Sequence, residues 1–486
     1  MGDNLKQKTI KAVTWSSIDR FGQQGIQFII ALILARHLSR ADYGLIGSVA
    51  VFSSLAIIFV ESGFSQALIR KQDADETDYN TVFIFNLIIS IVLYFILFFS
   101  APYISEFYRQ PQLATICQVL FLGLPINALY LVPLTQLTKA LDFKTIAKSN
   151  ISAVLISGSI GITLALNKYG VWSLVIQQVI FHLVRLLFFH FSIHWKPKLL
   201  FSFQVIRNFW SFSINVLGTS VLNAFFNNIY NIILGRFYNI QQLGDYTQAN
   251  KLSETFNYSF LVILTSSSYP VFVQVQHDEN RFRQIYRELV KKSSIVTFPV
   301  LITLIAIAYP LIPVLLSDKW IQVVPYFQLV CSASLFAVLY SLTINALNAR
   351  GKSGTTFRLE LIKKGLILAS VLVCFKFGIS AMLIGYVVAS YISYLISILY
   401  LKREINHYIK HQISDFIKPL LIGIAIGVCC YAVSFLINNT YILLAVQLLT
   451  AFVLYLLSIK LFYNEIYIES LHFIESKIAQ FLKKDI

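Results

Sequence analysis

The chain has 486 residues, of which 57% are hydrophobic and 13% charged, with a mean hydropathy of +0.69. A soluble globular protein carries roughly 25% charged residues, so a water-facing surface of this size cannot be built and a soluble all-α fold is excluded. The net charge of +16 would suggest nucleic acid in a soluble protein, but here the cations lie between apolar blocks, where membrane topology accounts for them.

In chain order, membrane-crossing helices are expected over residues 12–37, 43–68, 79–104, 113–137, 146–167, 171–192, 209–235, 244–274, 293–316, 321–348, 357–376, 380–401, 415–437 and 441–461. Several of these blocks, among them Tyr79–Ser105, Asn208–Gly235 and Phe377–Leu401, hold no Asp, Glu, Lys or Arg. Each exceeds the ~20 residues that span ~30 Å of hydrocarbon as a helix. Pro419–Ile459 is uncharged throughout and breaks near Asn438 and Asn439, so it reads as two spans and a turn. The eleventh span carries Lys363 and Lys364 at its mouth and is apolar only from Gly365 to Phe375.

The distribution of cations tests this count. With the amino terminus inside, 29 of the 39 Lys and Arg fall in inside segments and 7 in outside segments. A missed or extra helix would reverse the bias downstream, and no reversal occurs. Both termini are therefore expected in the cytoplasm. The expected organisation is an N-terminal lobe of six helices (1–206), a C-terminal lobe of six (207–404), helices 13 and 14 (405–462) and a cytoplasmic amphipathic tail (463–486). In that tail Ile468, Leu471, Ile474, Ile478 and Phe481 follow helical spacing beside Lys477, Lys483 and Lys484; an amphipathic surface helix and a frayed end are both open readings. The first apolar segment contains Asp19 and Arg20 and has no short clean core before a cleavage site, so it is expected to stay as helix 1.

A faint repeat runs through the chain. Leu34, Arg36 and Gly44 recur as Leu234, Arg236 and Gly244, all offset by 200 residues, and Trp15-Ser16 is echoed by Trp210-Ser211. Two halves with an even number of spans share one orientation, so their pseudo-two-fold axis would run along the membrane normal.

Polar groups stand where lipid is expected. Asp19, Arg20, Glu61, Arg185, Lys251 and Glu254 lie within spans, and an ionised residue near a helix centre costs roughly 2.5–3.5 kcal/mol on insertion scales. Arg20 lies nine residues beyond Lys11 and Glu61 nine before Arg70. Both therefore sit roughly 13 Å from the inner edge, at a depth where they could pair. Lys251 and Glu254, three apart, can pair along one helix. Arg185, near its helix end, is expected to snorkel. The seventh span carries Ser211, Asn215, Thr219, Asn223, Asn227 and Asn231 at every fourth position. The first adds Gln23, Gln24 and Gln27, and the eighth Gln248, Asn250, Asn257 and residues 265–268. Such groups suit a water-filled cavity; interhelical hydrogen bonding is the alternative.

Catalytic patterns are weak. Gly351-Lys352-Ser353 lacks the earlier phosphate-loop glycine, because that position is Ala346. His190/His194 and His407/His411 have no third ligand. The five cysteines sit in apolar blocks without metal or disulfide spacing. No metal, cofactor, nucleic acid or catalytic constellation is expected, and the chain does not read as an enzyme.

Four strings carry a family resemblance: Ala12-Val13-Thr14-Trp15-Ser16; Leu34-Ala35-Arg36-His37-Leu38-Ser39 to Asp42-Tyr43-Gly44; Glu61-Ser62-Gly63-Phe64-Ser65-Gln66-Ala67-Leu68-Ile69; and Leu243-Gly244-Asp245-Tyr246 to Asn250-Lys251-Leu252. On a fourteen-helix frame this order resembles the polysaccharide-transporter branch of the multidrug/oligosaccharidyl-lipid/polysaccharide exporter superfamily, and most of all Wzx-type flippases, colanic-acid exporters among them. The resemblance implies a V-shaped pair of six-helix lobes around a cavity. It implies a substrate, an undecaprenyl-diphosphate-linked oligosaccharide, moved across the bacterial inner membrane by alternating access, with membrane lipids and the pathway's polymerase and chain-length proteins as partners. Cations on helices 1, 2, 7 and 8 of relatives contact the diphosphate or acidic sugars. Arg20 and Lys251 match that placement, and Arg236 matches a rim position. Helix 2 offers only Glu61, which departs from the lipid II flippase group. Asn215, Asn223, Asn227 and Gln24 are the expected sugar contacts, and Asp19, Glu61 and Glu254 the candidates for ion coupling. A cation-coupled multidrug exporter of the same superfamily is the rival reading, and a membrane polymerase a more distant one.

Overall fold

The structure, a computed structural model, describes the backbone of residues 2–61, 63–193, 195–405 and 409–464 together with Ile468, and the side chains there except 2–10, 13, 257–267 and 409. The tail after residue 464 (Ile468 apart), His194, His407 and the side chains of Asn257 and residues 265–267 lie outside the described residues. All regular structure among the described residues is helical. The chain is an all-α integral membrane protein.

Packing divides it into two units, Met1–Gln248 and Ala249–Ile486. The first holds α1 (Gly2–His37), α2 (Arg40–Glu61), α3 (Phe64–Arg70), α4 (Glu76–Tyr108), α5 (Gln112–Leu120), α6 (Gly123–Lys139), α7 (Phe143–Leu166), α8 (Trp172–Ser192), α9 (Phe203–Asn227), α10 (Ile229–Phe237) and the first turns of α11 (Ile240–Gln274). The second holds the rest of α11, then α12 (Glu279–Ala306), α13 (Ala308–Leu316), α14 (Val323–Ser334), α15 (Ala337–Ala349), α16 (Ser353–Cys374), α17 (Ile379–Ile405), α18 (Ile409–Val433) and α19 (Thr440–Phe462).

Eleven helical stretches among the described residues are long and apolar enough to cross a bilayer. Three more have the length: α1 with 36 residues, α11 with 35 and α16 with 22. These three carry Asp19 and Arg20, Lys251 and Glu254, and Lys363 and Lys364. The sequence reading counts all three as crossings, to reach fourteen.

In the first unit α1 lies along α7, α7 along α8, and α6 joins α8 to α4. A core of Val49 and Val60 from α2, Ala101 and Tyr108 from α4, and Leu113 and Cys117 from α5 closes one end. A second core brings Phe64, Leu68, Phe83, Val132 and Phe209 together. Gly63 starts α3 at φ 73°, a left-handed turn that glycine adopts without steric cost, and Ser213 of α9 lies against it.

The first turns of α2 and α11 meet backbone to backbone. A Cβ on Gly44 would run into the carbonyl oxygen of Ile240, and a Cβ on Gly244 into that of Arg40. Gly44 and Gly244, like Arg40 and Ile240, stand 200 residues apart. The contact is thus reciprocal, as a local two-fold axis requires, and the weak sequence repeat is what supplies its two glycines. Arg40 then caps the joint with a bidentate bond to buried Asp245, its Nε 2.6 Å from Oδ1.

The second unit uses the same device once more. Gly423 and Gly427 of α18, one turn apart, face Phe298, Pro299 and Ile302 of α12, a small-xxx-small seam that lets helices approach closely in lipid. Arg287 of α12 clamps this pair, with Nε 3.0 Å and Nη2 2.9 Å from the buried carboxylate of Asp415 on α18. Phe336 stacks on Tyr394 at 5.1 Å and meets Phe298 and Phe416 edge-on.

Gly44→Val and Gly244→Val should each destabilise the protein by at least the ~1–3 kcal/mol typical of overpacking, read as a lower melting temperature in detergent. Gly25→Ala, where a Cβ meets nothing within 4 Å, should leave it unchanged or slightly raised.

Candidate functional site

The polar residues of α1 divide by direction. Arg20 and Gln27 are exposed and Gln24 half-buried on one stripe, at spacings that align on a helix. Asp19, about 100° round the helix, turns to α7, where Asn150 Nδ2 donates to both carboxylate oxygens at 3.1 and 3.0 Å. The expected Arg20–Glu61 pair does not form: neither residue makes an ion pair within 4 Å among the described residues.

Arg185 does not snorkel. Its guanidinium lies 4.7 Å from the ring centre of Tyr130, 5.6 Å from Phe181 and 5.8 Å from Phe189. Nη1 donates to the Tyr130 hydroxyl at 3.3 Å, and that hydroxyl also bonds His182 Nδ1 at 2.8 Å. Three aromatic faces replace the water that snorkelling would seek, because the negative face of a ring stabilises a desolvated cation. Asn150, Tyr130 and His182 were not singled out in the sequence. The one signal was that each is polar within an otherwise apolar span.

Glu61, the last residue of α2, lines a cavity of about 200 Å³. Ser65 and Gln66 of α3, Thr135 and Thr138 of α6 and Ser220 of α9 complete its polar wall. Thr135 and Thr138 donate their hydroxyls to Leu131 and Leu134 carbonyls at 2.8 Å, which leaves their oxygens as acceptors. The site therefore offers a carboxylate, several hydroxyls and one amide, a set suited to a hydroxylated ligand or a cation.

On α9 the four-residue row is displayed outward. Ser211, Asn215, Thr219, Asn223 and Asn227 are all exposed, and Asn231 is half-buried. Asn215 and Thr219 satisfy part of their capacity on the helix itself, at Ser211 O (2.9 Å) and Val216 O (2.9 Å). Asn228 is held inward by Ala224 O at 2.9 Å. A membrane-length helix with so many amides on one side cannot turn that side to acyl chains at low cost.

On α11 Lys251 and Glu254 are exposed but form no ion pair within 4 Å among the described residues. Glu254 instead accepts from Asn250 Nδ2 at 2.8 Å. Arg236, at the end of α10, donates to the Phe107 carbonyl at 2.6 Å and lies 5.1 Å over the Phe107 ring, so α4 holds it in place.

Tyr130→Phe should cost ~1–3 kcal/mol of stability, because it removes the hydroxyl that bonds the half-buried His182 and Arg185. Thermal unfolding in detergent measures it, with Tyr169→Phe at an exposed position as the neutral control.

Comparison with known proteins places this architecture. The chain is 24% identical over 441 residues to the teichuronic acid biosynthesis protein TuaB of Bacillus subtilis, covering 89% of this chain and 90% of that one. It is 22% identical over 449 residues to the lipopolysaccharide biosynthesis protein WzxC of Escherichia coli, covering 90% and 89%. Its fold is similar to that of the lipid II flippase MurJ in an inward closed conformation, with a TM-score of 0.74 at 16% identity over 94% of this chain and 100% of that one. An inward-facing multidrug MATE transporter matches at 0.62 and 15%, over 81% and 98%. The family described as polysaccharide biosynthesis protein matches residues 33–325, more than half of the chain, and the protein belongs to that family.

Proposed function

We propose that the protein is a flippase that carries an undecaprenyl-diphosphate-linked oligosaccharide repeat unit across the bacterial inner membrane by alternating access, for the synthesis of a surface polysaccharide such as lipopolysaccharide O-antigen, capsule or exopolysaccharide. The observation that carries this reading is the exposed amide row of α9. A glycan crossing hydrocarbon must exchange its water for other hydrogen-bond partners, and Asn215, Asn223, Asn227 and Gln24 offer donors and acceptors to sugar hydroxyls. The diphosphate needs cations, and Arg20 and Lys251 are assigned to it, with Arg236 at the rim. Family membership and relatives named for teichuronic acid and lipopolysaccharide biosynthesis support the substrate class.

In this reading α1, α11 and α16 are spans, both termini are cytoplasmic, and the two six-helix halves are related by a pseudo-two-fold along the membrane normal, with α18 and α19 appended. The chain performs no covalent chemistry and needs no cofactor. Asp19, Glu61 and Glu254 are the coupling carboxylates. Glu61 is the strongest of them, because it lines a polar cavity and has no ion-pair partner among the described residues.

Arg20→Ala and Lys251→Ala should reduce surface glycan severalfold while membrane insertion stays normal. Normal glycan in both variants rejects these sites. Deletion in the host should leave lipid-linked oligosaccharide on the cytoplasmic leaflet. Hypersensitivity to cationic drugs with normal glycan would instead favour a cation-coupled multidrug exporter, a reading that the Glu61 cavity and the MATE-like fold keep specific. Glu61→Gln should lower transport at unchanged expression, and wild-type transport in that variant would remove Glu61 from coupling.

A further inference from the structure

A second cavity, of about 440 Å³, opens where α6 and α8 diverge. Leu129 and Pro133 of α6 and Leu186 and Leu187 of α8 form its walls. The lining also includes Tyr130 and Phe189, both at most 1% exposed. The crevice thus reaches past the lipid-facing surface to the protein core, and its lining is almost wholly apolar. At bilayer depth such a volume is filled by hydrocarbon, since a void forfeits dispersion contacts with every wall atom.

The lining at and beyond the last turn of α8 differs: it includes His190 and Trp195, and Trp195 is fixed edge-on to Phe83 at 5.5 Å. Tryptophan is the residue that marks the membrane–water boundary, so this end of the crevice lies at headgroup level. The loop from Trp195 carries two lysines. Lys198 is engaged by Glu76 at 2.7 Å. Lys196 is exposed and forms no ion pair within 4 Å among the described residues. An uncommitted ammonium at headgroup level beside an apolar crevice is complementary to a molecule with a phosphate at one end and a hydrocarbon chain at the other.

We propose that this crevice is a binding site for an anionic glycerophospholipid, with one acyl chain between α6 and α8 and its phosphate on Lys196. The crevice has room for about one acyl chain. The chain would pack on the Tyr130 ring, whose hydroxyl organises His182 and Arg185. Lipid occupancy therefore supports the polar cluster beside Asp19 and Glu61. The proposal is independent of what the protein transports.

The test uses the purified full-length protein in detergent, titrated with phosphatidylglycerol or with phosphatidylethanolamine of the same chains, and read by native mass spectrometry and by thermal unfolding. Phosphatidylglycerol should bind the tighter of the two and raise the melting temperature. Lys196→Gln should weaken it about fivefold, as expected for loss of one cation near an anionic headgroup, and Lys196→Arg should restore it. Leu187→Trp adds bulk at an exposed wall position and should abolish the tight site while the lipid-free melting temperature stays unchanged. Equal binding of the two lipids, or wild-type phosphatidylglycerol affinity in both Lys196→Gln and Leu187→Trp, overturns the proposal. Displacement of the bound lipid by polyprenyl phosphate, blocked by Leu187→Trp, also overturns it and assigns the crevice to a prenyl chain.

Discussion

Within hydrocarbon no water is available to complete a hydrogen bond, so every polar group at that depth must find a protein partner or mark a place where water enters. This protein sorts its polar residues along that line. Asp19 takes Asn150, Arg185 takes Tyr130 and three ring faces, Asn345 takes Ser268 at 2.9 Å, and Asp415 takes Arg287. These satisfied groups hold helices together. Arg20, Asn215, Asn227 and Lys251 stay exposed. The same residue types thus serve two ends, and what separates them is whether a neighbouring helix supplies the complementary atom.

Helix association in lipid draws little from the hydrophobic effect, because acyl chains are as apolar as leucine. Close backbone approach has to come from small residues. Gly44 and Gly244 bring the starts of α2 and α11 together reciprocally, and Gly423 and Gly427 seat α18 on α12. At each joint a bidentate arginine–carboxylate bond is added: Arg40 with Asp245, and Arg287 with Asp415. Both carboxylates are about 1% exposed. A charge removed from water to that degree is tolerated only with such geometry, so each joint is fixed in register as well as in distance.

The spans were readable because they rest on a one-dimensional property, the length of an apolar run. The three polar spans were expected from the alternation of basic loops, which depends on parity alone. The repeat of Gly44 and Gly244 was visible as an offset of 200, but not as a contact, because sequence does not say which equivalent residues meet. The site was half legible. The α9 row announces itself by its period of four, whereas the partners of Asp19 and Arg185 come from helices up to 131 positions away. The depth argument placed Arg20 and Glu61 at the same level but could not fix their azimuth. A rotation of about 100° per residue is enough to send Arg20 to one side of α1 and Asp19 to the other.

The sequence by itself determined that the chain crosses a membrane many times, and which segments are long and apolar enough to do so. These follow from local composition and the cost of placing charge and amide groups in hydrocarbon. Only the tertiary structure decided which of those groups are satisfied and which are displayed, that Arg185 is caged by rings, and that a polar cavity forms around Glu61. Each of those outcomes depends on helix rotation and on atoms brought from distant parts of the chain.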